Sequence, residues 1–118
     1  MQPDLLMADL VDEYVYRYHF DLFPVTEDDH LLGCVTIRQI KDIPQGEWDV
    51  RRAGDIMSRC SAANTIAADV DAVKALSLMR QSGQSRLMVV EGRRLVGVVA
   101  LKDLLEFLAL KMDLEEAA

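Results

Sequence analysis

The residues best suited to catalysis or metal binding are few and poorly spaced for either task. His19 and His30 stand eleven positions apart, and neither is followed by Glu. A zinc protease needs two histidines on one helix face with a carboxylate base between them, as in His-Glu-x-x-His. Glycine motifs of phosphate loops, dinucleotide folds and serine hydrolases are also missing from the sequence. We therefore expect the isolated chain to be no enzyme and to need no cofactor.

The two cysteines do not change that expectation. Cys34 and Cys60 are too few for a disulfide framework, and both stand among apolar or small residues. We expect both thiols to be buried. His30 and Cys34 would share one side of a helix, but the local pattern there is a turn and a strand, so no metal site is predicted.

Charge is distributed unevenly along the 118 residues. The 13 basic and 20 acidic residues give a net charge of −7. Residues 1–50 carry a net charge of −8, and residues 51–118 carry +1. An anion site is therefore easier to place in the second half. The acidic balance disfavours nucleic acid and anionic membrane surfaces, which require clustered Lys and Arg.

The sequence contains no segment suited to crossing a membrane. Its longest stretch without a charged residue, residues 60–68, is nine residues long, whereas a spanning helix needs about 20 apolar residues. Asp4 and Asp9 stand where a signal peptide would carry basic residues. We expect a cytoplasmic segment that does not insert into a membrane.

The elements that would position a site are duplicated. Residues 23–27 and 31–36 read as two apolar strands around an acidic turn, and residues 87–91 and 95–100 repeat them 64 positions later without a gap. Gly33 and Gly97 match, as do several other pairs. Each block is typical of a β-hairpin.

Helical patterns flank both hairpins. The periodicity predicts helices over residues 5–18, 37–43, 70–82 and 101–114. Thr36 is a suitable N-cap for the second helix, and Gly83 is a suitable end for the third. The core-facing residues of the last helix are predicted to be Leu101, Leu104, Leu105 and Leu108.

The repeat predicts the organisation of the chain. Residues 1–44 form the first repeat, residues 45–52 a polar linker in which Trp48 covers an edge of the core, and residues 53–118 the second repeat. Under the offset of 64, Met1 corresponds to Thr65, so the first repeat lacks a counterpart of residues 54–64. We expect a mixed α/β (α+β) fold whose first repeat is truncated at its N-terminus.

The order of helix, Pro-Val-type strand, acidic turn, Leu-Val-Gly strand and Thr-x-x-Asp helix start resembles the CBS domain, over nearly the whole chain. Tandem CBS domains form pairs known as Bateman modules, so the resemblance implies two pseudo-symmetric repeats, each a small sheet with two packed helices. It also implies a regulatory role toward an attached domain. CBS pairs commonly dimerise, and exposed Phe107 and Leu110 would mark the helices of a homodimer.

A narrower resemblance concerns three segments, residues 16–20, 33–44 and 85–92. They are similar to the CBS tail of site-2-protease-type, membrane-embedded zinc metalloproteases. That resemblance implies a cytosolic regulatory region attached to a catalytic membrane domain.

In the CBS family, adenosine-type ligands such as AMP, ATP or S-adenosylmethionine bind in clefts between the two halves. The motif Gly-h-x-Thr/Ser-x-x-Asp supplies an Asp for the ribose and a hydroxyl at a helix start for phosphate. Residues 33–39 keep the hydroxyl as Thr36 but have Gln39 in place of Asp. Residues 97–103 keep Asp103 but have Ala100 in place of the hydroxyl.

The family also places a basic residue just before the Pro-Val-type strand. Arg86 stands there in the second half, whereas the first half has Leu22. The resemblance therefore implies a second-repeat pocket and a weaker first-repeat pocket. The second-repeat candidates are Arg86, Asp103, Gly97, Val98 and Lys102, and the first-repeat candidates are Thr36, Gln39 and Arg38.

Each candidate also has a purely structural explanation. Asp103 would favourably meet the helix dipole, Arg86 would form a surface ion pair, and Thr36 would cap its helix. Two functions therefore stay open. One is a regulatory module that binds an adenosine-type nucleotide, and the other is a structural or dimerisation module whose pockets no longer bind.

Overall fold

Both hairpins of the repeat form in the computed structural model, which describes residues 1–15 and 21–117. The chain divides into two compact units, Met1–Cys60 and Ser61–Ala118. The elements of the first unit are α1 (Met7–Leu10), a π-helical turn (Val11–Val15), β1 (Leu22–Glu27), β2 (His30–Thr36), α2 (Ile37–Lys41), a 3-10 turn (Gln45–Glu47), α3 (Ala53–Ile56) and β3 (Ser58–Arg59). Those of the second are β4 (Thr65–Ala67), α4 (Ala72–Ser82), β5 (Arg86–Glu91), β6 (Arg94–Ala100) and α5 (Leu101–Ala117).

The two hairpins repeat each other residue by residue. Leu22 pairs with Thr36 in the first, and Arg86 pairs with Ala100 in the second, 64 positions further along. An irregularity follows Val25 in the first and Val89 in the second, at matching positions. The predicted mixed α/β fold and its duplication are therefore confirmed at the level of strand register.

The turns between the strands are built from different residues. Asp28 and Asp29 both adopt positive φ angles, 51° and 65°, whereas Gly92 does so in the second turn at 62°. A tight hairpin needs such left-handed backbone, and Asp tolerates it better than most non-glycine residues. Both turns thus use left-handed backbone, at both central residues of the acidic first turn and at Gly92 alone in the basic second turn.

Within each unit, three strands pair with one another. In the first, β2 lies between β1 and β3 and is antiparallel to both. In the second, β5 lies between β6, which is antiparallel, and β4, which is parallel. A parallel pair needs a crossover connection, and α4 provides it.

The predicted helices are found with shifted ends. The first begins at Met7 and turns π-helical at Val11, and its predicted continuation to residue 18 lies outside the described residues. The Asp71 side chain accepts from the N–H of Lys74 at 3.0 Å and caps the helix, so α4 starts at Ala72 rather than at the predicted residue 70. Gly83 ends that helix with a φ of 72°, as predicted.

Each unit has a core of its own. The buried residues of the first are Met7, Leu10, Val11, Val25, Val35, Ile40 and Ala53. Those of the second are Ala75, Met79, Leu87 and Leu104. The prediction for Leu105 is wrong: it is 50% exposed, because it lies about 100° around the helix from buried Leu104.

The segment expected to be a linker folds back on the first unit. We call residues 48–54 the strap. The Trp48 ring packs on the first core, and its indole N–H donates to the carbonyl of Ile43 at 3.2 Å. Ala53 is fully buried in that core, and β3 joins its sheet. Packing thus divides the chain after Cys60, later than the predicted linker of residues 45–52.

Candidate functional site

The second unit brings the start of β5 beside the start of α5. Arg86, the first residue of β5, lies opposite Ala100, the last residue of β6. The N–H of Leu101 donates to the carbonyl of Ser85 at 2.8 Å, which joins the helix start to the residue preceding β5. The half-buried Arg86 side chain is therefore held at the N-terminal end of α5.

A cavity of about 470 Å³ opens at this junction. Such a volume lies within the range of about 300–1,000 Å³ that small-molecule sites occupy. Arg86 and Lys102 both line the cavity, with Glu106 as its acidic member. The remaining lining residues are Ser85, Ala100, Leu101 and Leu105. The sequence does not identify Ser85 and Glu106, although Glu106 lies one helical turn beyond Lys102.

The helix start itself favours an anion. Ala100 has no side-chain oxygen, so it cannot cap the N–H of Asp103 as a Ser or Thr would. The first N–H groups of an α-helix have no partners within the helix, and the aligned peptide dipoles place partial positive charge there. With a guanidinium and an ammonium beside it, this end of the 17-residue helix α5 suits a phosphate or carboxylate.

Three of the expected second-repeat residues do not line this cavity. Asp103 is exposed and does not line the cavity, because it follows Lys102 by one residue and faces a different direction. Gly97 and Val98 precede the helix by several residues on β6 and also lie outside the lining. The structure therefore brings Arg86 and Lys102 together and leaves Asp103, Gly97 and Val98 apart from them.

At the matching junction of the first unit, side chains of the same unit satisfy the polar groups of the helix start. The N–H of Thr36 donates to Gln39 Oε1 at 2.7 Å, and the N–H of Gln39 donates to Thr36 Oγ1 at 3.5 Å. This is a capping box, in which two side chains satisfy the helix start reciprocally. Gln39 Nε2 also donates to Ser58 Oγ at 2.6 Å.

The first junction also lacks the cation that Arg86 supplies to the second. Leu22, at the position of Arg86, is buried and apolar. Arg38, at the position of Lys102, is exposed. The structural roles of Thr36 and Gln39 are therefore observed directly, since both have partners within the chain.

Thiol chemistry finds no support at either cysteine. Cys34 is buried as predicted, but the prediction for Cys60 is wrong, because Cys60 follows the edge strand β3 and is exposed. Burial raises the pKa of the Cys34 thiol, and the nearby Cys60 raises it further. Burial likewise raises the pKa of Cys60, whose Sγ donates to the carbonyl of Leu31. Both thiols are thus less ionised at neutral pH than a free cysteine.

Within residues 1–15 and 21–117, no three His, Cys, Asp or Glu side chains are grouped as a metal ion would require. His30 is exposed at the start of β2, and His19 lies outside the described residues. In the same part of the chain, none of the helices has the length and apolar character needed to cross a membrane.

The sequence matches one protein-family model, that of the CBS domain, over residues 53–110. Comparison with curated proteins found no match.

Solved structures share the fold over most of the chain. The CBS domain of a bacterial CNNM/CorC family Mg²⁺ transporter in complex with ATP is 20% identical, with a TM-score of 0.76 over 89% of this chain and 74% of that one. The CBS domains of a transcriptional regulator from Streptococcus pneumoniae are 21% identical, with a TM-score of 0.75 over 89% of this chain and 84% of that one. At these identities the similarity establishes the fold.

Proposed function

We propose that this protein is a regulatory module that binds an adenosine-type nucleotide through its second repeat. Residues 53–110 match the family model of the CBS domain, and the chain has the fold of CBS-domain structures. The phosphate of the ligand would occupy the cavity beside the N-terminus of α5. The observation that supports this proposal is the convergence of Arg86 and Lys102 on one cavity at a helix start that is preceded by Ala100, which has no side-chain oxygen.

The chemistry of those groups fits a phosphate more closely than a neutral ligand. A guanidinium pairs with phosphate oxygens through two parallel N–H groups, and an ammonium adds a point charge. The helix N–H groups supply further donors in a fixed direction. A structural neighbour was solved in complex with ATP. Asp103 remains the proposed ribose acceptor, with Gly97 and Val98 as adjacent contacts, and the first repeat is proposed to contribute less, through Thr36, Gln39 and Arg38.

Regulation requires that the ligand distinguish two states of the module. A ligand shifts a conformational equilibrium only by the difference between its affinities for the two states. A coupling free energy of about 1–3 kcal/mol is typical of such systems. We propose that nucleotide binding biases the activity of an attached domain by this mechanism, on the cytosolic side of a membrane.

Isothermal titration calorimetry with AMP, ATP and S-adenosylmethionine tests the binding. We expect at least one of them to bind the intact chain below millimolar concentration. Arg86→Ala should weaken that binding at least tenfold, because a hydrogen bond to a charged group contributes about 1.5–3 kcal/mol. Asp103→Ala, measured in parallel, tests the ribose contact.

Arg93→Ala is the matched control, since Arg93 is an exposed arginine of the β5–β6 turn outside the cavity. It should leave the affinity unchanged. Absence of binding by all three nucleotides would overturn the proposal. If the Arg86 and Asp103 variants both bound with the affinity of the native chain, the site would lie elsewhere.

The alternative function is a structural or dimerisation module with pockets that no longer bind. The capping box at Thr36 and the missing hydroxyl at Ala100 favour it. So do the exposed apolar side chains of α5, among which Phe107 and Leu110 are 54% and 58% exposed. We propose a homodimer through this helix, and sedimentation velocity of the native chain and Leu110→Asp tests it. A monomeric native chain would exclude this role.

The attached domain is proposed from the resemblance of residues 16–20, 33–44 and 85–92 to the tails of site-2-protease-type metalloproteases. Residues 16–20 lie outside the described part of the chain. The full reading frame of the gene tests the proposal directly. It should encode a His-Glu-x-x-His motif within apolar segments long enough to span a membrane, and a frame without that motif would exclude such a parent.

A further inference from the structure

The strap gives the first unit a layer that is built from its own chain. The N–H of Met7 donates to the carbonyl of Arg51 at 2.8 Å, and the N–H of Ala8 donates to that of Trp48 at 3.1 Å. The strap also donates to the first unit, because the N–H of Ala53 donates to the carbonyl of Leu5 at 2.8 Å. The strap thus runs from a turn through the extended residue Arg52 into the start of α3, and it is held by backbone hydrogen bonds and one aromatic anchor.

The second unit has an open groove at the positions that the strap covers in the first. A cavity of about 550 Å³ lies there, and its lining is mostly apolar. The first-unit residues that contact the strap include Pro3, Leu6, Met7, Ala8 and Ile43. Their counterparts 64 positions later all line the cavity and are Ala67, Val70, Asp71, Ala72 and Phe107.

The groove is open because α5 continues where α2 ends. α2 ends shortly before Pro44, because proline cannot continue a helix. The chain then turns and leads into the strap. At the matching position, Leu108 lies within α5, which runs on to Ala117. The second unit therefore has no strap of its own among its described residues, and Met112, the counterpart of Trp48, is 61% exposed.

The rim of the groove carries the charges that would select an occupant. Asp71 and Lys111 line the groove, and exposed Asp69 stands between the lining residues Ala68 and Val70. In the first unit, the Arg52 guanidinium donates to the carbonyl of Asp4. The position matching Asp4 is Ala68, next to Asp69, so a basic side chain there would meet a carbonyl and a carboxylate together.

We propose that this groove binds a peptide segment that carries an aromatic residue followed three or four positions later by arginine, the chemistry of the strap itself. The aromatic ring enters the cavity between α4, β4 and α5. The segment's backbone pairs with residues 67–72, and its arginine meets the acidic rim. This is peptide recognition by main-chain hydrogen bonds with a side-chain anchor, and it is independent of the proposed nucleotide site.

A synthetic peptide of residues 45–54 tests the proposal, titrated into the isotope-labelled intact chain by NMR. We expect saturable binding below about 1 mM, with shifts confined to residues 66–75 and 104–111. Trp48→Ala in the peptide should weaken binding at least tenfold. Ala68→Trp in the protein, which fills the groove from its rim, should do the same.

Ser77→Trp is the matched protein control, because Ser77 is exposed on α4 and does not line the cavity. It should bind the peptide as the native chain does. Absence of saturable binding would overturn the proposal, and so would shifts confined to Met1–Cys60, which would mean exchange with the native strap. Dissociation of a native dimer by Ala68→Trp, with no effect of peptide, would show that a second copy covers the groove.

Discussion

The two hairpin-to-helix junctions share one backbone design and differ in chemistry. In each, the first N–H of the helix donates to the carbonyl preceding the hairpin, from Ile37 to Asp21 in one unit and from Leu101 to Ser85 in the other. The first junction then satisfies its polar groups through Thr36 and Gln39. The second leaves helix N–H groups without a side-chain cap, beside Arg86.

That difference shows how a duplicated fold can separate stability from binding. A capping box stabilises a short helix at its most demanding point, and it occupies the donors that an anion would use. The longer α5 packs through Leu104 and does not depend on a cap. The N–H groups that follow Leu101 at its start are therefore suited to an anion at little cost in stability.

The largest contrast between the units is expected at their matching glycines. A Cβ built on Gly33 would lie 2.1 Å from the carbonyl oxygen of Ser58, whereas one on Gly97 meets nothing within 4 Å. Gly33→Ala should therefore force β3 away from β2 and lower the free energy of unfolding by about 3 kcal/mol. Gly97→Ala should leave it unchanged or raise it by about 0.5 kcal/mol, since alanine loses less backbone entropy in a strand.

Urea denaturation of both variants measures this contrast. Equal destabilisation by the two substitutions would contradict it, because it would mean that the two strands have equivalent surroundings. Ser58→Ala serves as a control for Gly33→Ala, since it keeps the backbone carbonyl that causes the clash and removes only the side chain.

A smaller contrast is expected when the caps are exchanged. Thr36→Ala removes the acceptor for the N–H of Gln39 and should lower the free energy of unfolding by about 1 kcal/mol. Ala100→Thr supplies the missing acceptor to α5 and should raise it by up to about 1 kcal/mol. The same denaturation experiment measures both, and a stabilising effect of Thr36→Ala would refute the capping role.

The smallest contrast concerns the cations beside each helix start. Lys102→Gln should weaken nucleotide binding about threefold, because an ammonium at a partly exposed site contributes less than about 1 kcal/mol. Arg38→Gln, at the matching position of the first unit, should weaken it less. Calorimetry at low and high salt measures both, and a larger loss in the Arg38 variant would assign the ligand to the first unit.

Much of the fold follows from local pattern. The hairpins, Gly83 and the Thr36 cap were all predictable, because register, left-handed turns and caps depend on neighbouring residues. The exposure of Leu105 was not predictable in this way, since it depends on which side of α5 packs against the core. The exposure of Cys60 was missed for a similar reason, because β3 leaves that residue at an edge.

The candidate site was predicted only in part. Arg86 and Lys102 were identified by the repeat, and their convergence on one cavity is a fact of packing. The sequence predicts only one half of the capping box, because Thr36 is a suitable N-cap by residue type whereas the resemblance implies a ligand contact for Gln39. Its partner Ser58 stands 19 residues further along the chain, a distance at which sequence spacing carries no information.

By itself, the sequence determined the duplication, the offset of 64 between matching strands and the asymmetry of charge between the halves. These features are properties of residue order, so they are present before folding. The tertiary structure decided that residues 48–60 pack with the first unit. It also decided that Arg86 and Lys102 line one cavity while Asp103 lies outside it. Those outcomes depend on long-range packing, in which the burial of Trp48 and Ala53 outweighs the position of a repeat boundary.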